Sequence, residues 1–218
     1  MAISKFLTKY DPILIIVLIP VAIIASNVTI LATNFNFYTK IYQDKNIYDN
    51  FSNKKVLEDG THNLLGYFRG KNLLDQNFYS SQATRHLKDV KNLLNITKLA
   101  SFVLLISIFL LSFSLYLKKA YKALISSWVK GALLTLIFVA VICSLLLLDF
   151  QKLFFDFHLI FFRNNDWLFE PTDNLVKMFP QEFFTSFALY LAGNIIATTL
   201  FIAIFAQIIK NINDKSDN

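Results

Sequence analysis

A chain of 218 residues is long enough for one sizeable soluble domain, but 55% of this one is hydrophobic and only 17% charged, with a mean hydropathy of +0.48. That balance is too apolar for a soluble domain of this length. The net charge of +6 calls for no nucleic acid, and the single cysteine, Cys143, excludes an intrachain disulfide and a cysteine metal centre.

A bilayer core needs about 20 consecutive apolar residues per helix, and four stretches qualify. Residues 1–11, with Lys5, Lys9 and Asp11, form a short cytoplasmic N-terminus ahead of the first span, 12–38. That span is too long for the apolar region of a signal peptide and ends in no small-x-small cleavage site, so it reads as an uncleaved anchor. Residues 39–98 mix charges with many aromatics and carry turn-forming glycines at Gly60, Gly66 and Gly70; such a segment is a folded cap rather than a linker. Its end, from Ser80 to Val90, predicts a Ser-initiated helix running on into the second span, 99–117. The turn at 118–130 holds Lys118, Lys119, Lys122 and Lys130 with no acidic residue, which marks it as cytoplasmic. The third span is 131–148. Residues 149–182 are acidic overall and rich in Phe, with Phe154, His158, Phe161 and Phe162 on one helical face; they read as an aromatic belt or an interfacial helix. The fourth span, 183–209, carries Ala188, Ala192, Gly193 and Asn194, packing features for a neighbouring helix, and residues 210–218 close the chain. The expected fold is an all-α membrane protein with four transmembrane helices, both termini inside, and an extracellular cap made from the two outer loops.

Chemistry falls to three histidines, His62, His86 and His158, all on the expected outer side. His86 and His158 each stand at a boundary between cap and membrane. Asp89 lies three residues beyond His86 and shares its helical face, so it is placed to orient that imidazole; Asp156 points elsewhere. No His-Glu-x-x-His, cysteine pair, phosphate-binding glycine loop or Gly-x-Ser-x-Gly elbow occurs. Two histidines and a carboxylate lack the close spacing of a zinc site, so neither metal nor cofactor is expected and general acid-base catalysis is the better use of the imidazoles.

Two motifs then become specific. The run Phe157-His158-Leu159-Ile160-Phe161-Phe162, followed by Trp167-Leu168-Phe169-Glu170-Pro171-Thr172-Asp173 and Phe179-Pro180, closely resembles a signature of the bacterial lipoprotein intramolecular transacylase (Lit) family of four-span membrane proteins. The Arg85-His86-Leu87-Lys88-Asp89-Val90 stretch resembles that family's other signature, ahead of the second span. Glu170 stands where the family pattern has Asp. The resemblance implies transfer of the sn-2 acyl chain of a diacylglyceryl-lipoprotein to the α-amino group of its N-terminal cysteine. It places the family's two catalytic histidines at His86 and His158, with Arg85, Asp89, Trp167 and Asp173 in support and Phe154, Phe161, Phe162 and Trp167 lining a pocket beside the acyl chains. His158 is then the base and His86 the acid or oxyanion stabiliser, or the reverse. The implied partners are the lipoprotein and membrane lipid. A non-catalytic assembly protein, or a lipid-acyl hydrolase or transferase with another acceptor, is the alternative.

Overall fold

A computed structural model describes the backbone of residues 2–216 and the side chains of residues 10–210. Lys5, Lys9 and the side chains beyond Lys210, invoked above for the two termini, lie outside the described residues. All regular structure in that range is helical: α1 (Ala2–Leu31), α2 (Phe35–Asp44), a 3-10 turn (Ile47–Asn50), α3 (Lys54–Phe68), α4 (Ser81–Leu117), α5 (Tyr121–Leu148), α6 (Phe150–Phe161), α7 (Asn174–Met178) and α8 (Gln181–Ser216). Four of these are long and apolar enough to cross a membrane, in the stretches Tyr10–Leu31, Ser81–Leu117, Tyr121–Leu148 and Gln181–Lys210.

Two boundaries differ from the sequence expectation. The first membrane helix stops at Leu31 rather than Tyr38, because Asn34 turns extended and its side chain accepts the Phe37 amide at 3.2 Å, capping a new helix. The apolar residues beyond it, Phe37, Tyr38, Ile41 and Tyr42, are buried on protein, and hydropathy does not distinguish a lipid-facing residue from a core one. The basic turn, expected over 118–130, is confined to Lys118–Ala120. Lys119 takes a left-handed φ of 55°; its amide bonds Tyr116 O and the Ala120 amide bonds Leu115 O, a Schellman stop in which lysine fills the place usually given to glycine.

The chain divides into two compact units. One comprises Met1–Asn27, Thr97–Ser144 and Ala192–Asn218, the greater part of the long helices. Lipid gives no hydrophobic gain for helix association, so small residues and interhelical hydrogen bonds must hold it. They do so at Gly131, where an added Cβ would come within 2.8 Å of Ile19, and at the Ser26–Ser101 hydroxyl pair (2.8 Å) and the Trp128 indole on Ser112 (3.1 Å). Buried Asp11 accepts from Ser114 and pairs with Lys118 at 3.5 Å. The small residues of α8 behave otherwise: nothing lies within 4 Å of a Cβ at Gly193, and Asn194 is exposed.

The other unit comprises Val28–Ile96 and Leu145–Leu191 and has a core of its own. Tyr38, Ile41, Tyr42, Leu57, Leu64, Leu65, Tyr79, Met178 and Phe183 are all but inaccessible, and their polar tips are satisfied. The Tyr79 hydroxyl donates to Gly60 O at 2.7 Å and Tyr42 shares a hydrogen bond with Thr61. Gly60 cannot be larger without displacing the Phe78 ring, 2.7 Å from where a Cβ would sit. This core anchors the start of α4 and the segment that follows α6.

Candidate active site

Ser80 starts α4: its Oγ accepts the Ala83 amide at 3.0 Å and donates to the Asp173 carboxylate at 2.6 Å. Six residues on, His86 is buried on the helix face towards α6. Asp149 caps α6 by accepting the Lys152 amide, and the helix carries His158 on its inner side. The two imidazoles, 72 residues apart in the chain, lie near-parallel with ring centroids 6.0 Å apart and planes inclined by 28°.

Aromatic rings surround the pair. Trp167 stacks on His158 at 4.7 Å and Phe154 lies 4.3 Å from the same ring. Phe162 touches both imidazoles, at 4.9 Å from His86 and 5.4 Å from His158, and Phe169 closes on His86 at 5.6 Å. Only 7% of His86 and 6% of His158 remains accessible. Burial therefore lowers both pKa values, since it penalises the charged form. His86 is pushed down to about 4 by burial first and then by His158, with Asp89 and Asp166 pulling weakly the other way. His158 is lowered by burial against the opposing pull of the Phe154 carbonyl.

The ring nitrogens differ in environment. His158 Nδ1 sits 2.7 Å from Phe154 O; a carbonyl only accepts, so Nδ1 carries the hydrogen and Nε2 holds the free lone pair. His86 Nδ1 is buried with no hydrogen-bond partner.

Of the other residues named from sequence, Phe154, Phe162 and Trp167 lie against the imidazoles. Phe161 does not: it is half exposed and packs on Phe157, because α6 ends there and Phe162, now extended, takes the inward position. Asp89 makes no hydrogen bond to His86; its carboxylate accepts from Asn164 at 2.8 Å, so it reaches the imidazole through its field alone. Arg85 points away into a two-pronged pair with Asp166, Nη2 to Oδ1 at 2.8 Å and Nε to both oxygens at 3.0 and 3.1 Å; the arginine holds the Asp166 carboxyl below its usual range. Asp173 caps α7 through the Leu175 amide and holds Ser80. Sequence reasoning missed Gln82, Asn164, Asp166 and Phe169. The one local signal was the polar Asn164-Asn165-Asp166 triplet that interrupts an aromatic run, and it marks a turn without naming its partners.

The described family of lipoprotein intramolecular transacylases (Lit) matches residues 13–184. The chain belongs to that family. No curated protein matches it in sequence. Among solved structures it is similar to the membrane-integral lipoprotein intramolecular transacylase Lit from Bacillus cereus, at 22% identity and a TM-score of 0.81 over 98% of each chain. A histidine-to-arginine variant of that enzyme aligns at 20% identity and TM-score 0.83, over 99% of this chain and 97% of the other. A histidine-to-alanine variant aligns at 20% and 0.81, over 100% and 99%. Membership makes the chain a membrane acyltransferase whose substrate is a lipoprotein. Among the described residues no group of three or more His, Cys, Asp or Glu is arranged to hold a metal ion.

Proposed function

We propose that the chain moves the sn-2 acyl group of a diacylglyceryl-lipoprotein to the α-amino group of its N-terminal cysteine, with His158 as general base and His86 as hydrogen-bond donor to the oxyanion. The observation that carries this is the Phe154 carbonyl on His158 Nδ1, which leaves Nε2 unprotonated in a nearly dry site beside a second imidazole. The N-terminal ammonium, with a pKa of about 7.7 to 8.0, gives its proton up to that base; the freed nitrogen attacks the ester carbonyl carbon. The resulting oxyanion needs a donor. Orphaned buried N–H groups are rarer than unsatisfied acceptors, so the unpartnered Nδ1 of His86 is the bare nitrogen and Nε2–H the donor. Collapse breaks the bond to the glyceryl oxygen, which takes the proton held on His158; the freed Nε2 then removes the second proton from the attacking nitrogen, so the products are a lyso-form lipoprotein with an amide-linked acyl chain and one proton released to solvent.

The cyclic path has about eight atoms and is entropically awkward unless the substrate is held folded, a task suited to Phe154, Phe162 and Trp167. Hydrolysis is the competing outcome, and the burial of both imidazoles speaks against it because water has little access. We place the site on the outer side of the membrane, with both chain termini in the cytoplasm. Mass spectrometry of a lipoprotein's N-terminal peptide, with and without this chain expressed, tests the proposal: acyl count stays constant while one chain becomes amide-linked. His86→Ala and His158→Ala each lower product formation by about a hundred- to ten-thousandfold, and His62→Ala retains it. Near-normal turnover in either of the first two, with the protein inserted and folded, overturns the mechanism.

A further inference from the structure

Gln82, Arg85 and Asp89 fall on one stripe of α4 with His86, and each bonds the segment that follows α6. Gln82 Nε2 donates to Asp166 O at 3.3 Å and Leu168 O at 2.9 Å. Arg85 grips the Asp166 side chain with two nitrogens, and Asn164 donates to Asp89. The Asp166 amide returns to Asn164 Oδ1 at 3.0 Å, so the segment is tied internally as well. Between these ties sits Trp167, whose indole lies on His158. We propose that Asp166 and Asn164 are positioning residues for acyl transfer: by gripping Arg85 and Asp89, which flank His86, they hold Trp167 and Phe162 over the imidazoles and fix the spacing of the pair.

The inference rests on the two-histidine reading and goes beyond it. The ties are surface-exposed, with 59% of the Arg85 side chain accessible, and exposed ion pairs add little to stability. Their consequence lies in geometry, because a misplacement of about 1 Å at reacting groups costs roughly a hundredfold in rate. They also balance charge. The charged or titratable groups acting on His86 are His158 from α6, Asp166 from the following segment and Asp89 on its own helix, while Arg85, its neighbour in the chain, pairs with Asp166. Asp89 and Asp166 each pull the His86 pKa up, but burial and His158 outweigh them.

The test uses full-length protein in lipid, with kcat, KM, thermal unfolding and the ring-carbon NMR titration of His86 measured for Asp166→Ala, Asp166→Asn, Asn164→Ala and Arg85→Gln. Asp166→Ala lowers kcat about ten- to a hundredfold with KM and the unfolding temperature little changed, and Asn164→Ala does so by a smaller factor. Arg85→Gln, which leaves the Asp166 carboxylate unpaired, moves the His86 titration to higher pH; Asp166→Asn moves it to lower pH. A purely structural tie would give one sign for both variants, together with loss of folded protein. If Asp166→Ala fails to fold, the opposite signs of the Arg85→Gln and Asp166→Asn titrations, with their kcat values, decide the matter. Unchanged kcat in folded Asp166→Ala, or titration shifts of the same sign, overturns the positioning role while an inactive His86→Ala leaves the two-histidine reading standing. An active His86→Ala overturns both.

Discussion

His86 and His158 are lowered by the same burial, yet only His158 has its tautomer set by a carbonyl, and on that asymmetry rests our proposal that His158 is the base. On the proposed mechanism the rate falls as pH drops from 8 to 5, as the substrate amine takes a proton; His158, lowered by burial, follows, and His86 joins only near its value of about 4; a pH profile of kcat/KM that stayed flat to pH 5 would contradict this. Stability follows with a definite sign. Unfolded His86 binds its proton near pH 6.5 and folded His86 near 4, so between those values the unfolded chain holds more protons. The contribution is complete above about 6.5 and is lost progressively down to about 4. The unfolding temperature of the wild type drops between pH 7.5 and 4.5, and His86→Gln shows a smaller drop. That His86 and His158 belong to one site was an expectation drawn from the dense local motif around each, and the structure brings their rings within 6.0 Å. Asp166 was not legible in the sequence, because its partner Arg85 is 81 residues away and neither residue's neighbours carry a trace of the pairing. Asp89 was read from helical spacing alone, which placed it beside His86; its half-buried carboxylate accepts instead from Asn164, a partner distant in sequence.

At the scale of elements, the sequence was most informative where a long apolar run or a capping serine dominates and least where a single polar residue redirects the chain. Ser80 was readable as a helix start, and α4 runs unbroken from Ser81 to Leu117. At about 1.5 Å per residue its 37 residues exceed a hydrocarbon core of about 30 Å, so the charged part up to Lys98 projects beyond it and carries His86. Asn34, in contrast, ends one helix and caps the next inside what composition reads as a single span. The cap at Ser80 has a measurable consequence. Ser80→Ala removes the acceptor for the Ala83 amide and the donor to Asp173, and loss of an N-cap side chain costs about 0.5–2 kcal/mol. The variant unfolds at lower temperature or denaturant; Ser80→Thr, which keeps the hydroxyl, recovers most of the difference. Equal destabilisation by both would show that the hydroxyl is not what holds the start of α4.

At the scale of the whole molecule, orientation is a matter of charge counting across four spans. The α4–α5 turn brings Lys118 and Lys119 together, with Lys122 and Lys130 on the first turns of α5, and lysines in so short a connection are retained in the cytoplasm. With four crossings, the connections between the first and second spans and between the third and fourth emerge on the opposite side from that turn. Those connections carry His86, His158 and the folded core around Tyr42 and Tyr79, so in the orientation we propose the acyl-transfer site faces outward, where a lipoprotein substrate with an outer-leaflet anchor would meet it. Single-cysteine labelling tests this cleanly because Cys143 is the only native cysteine. In a Cys143→Ala background, Asp173→Cys and His62→Cys react with a membrane-impermeant reagent on intact cells, and Lys122→Cys reacts only after the membrane is opened. Protection of position 173 in intact cells, with labelling at 122, would invert the orientation and separate the site from any substrate anchored in the outer leaflet.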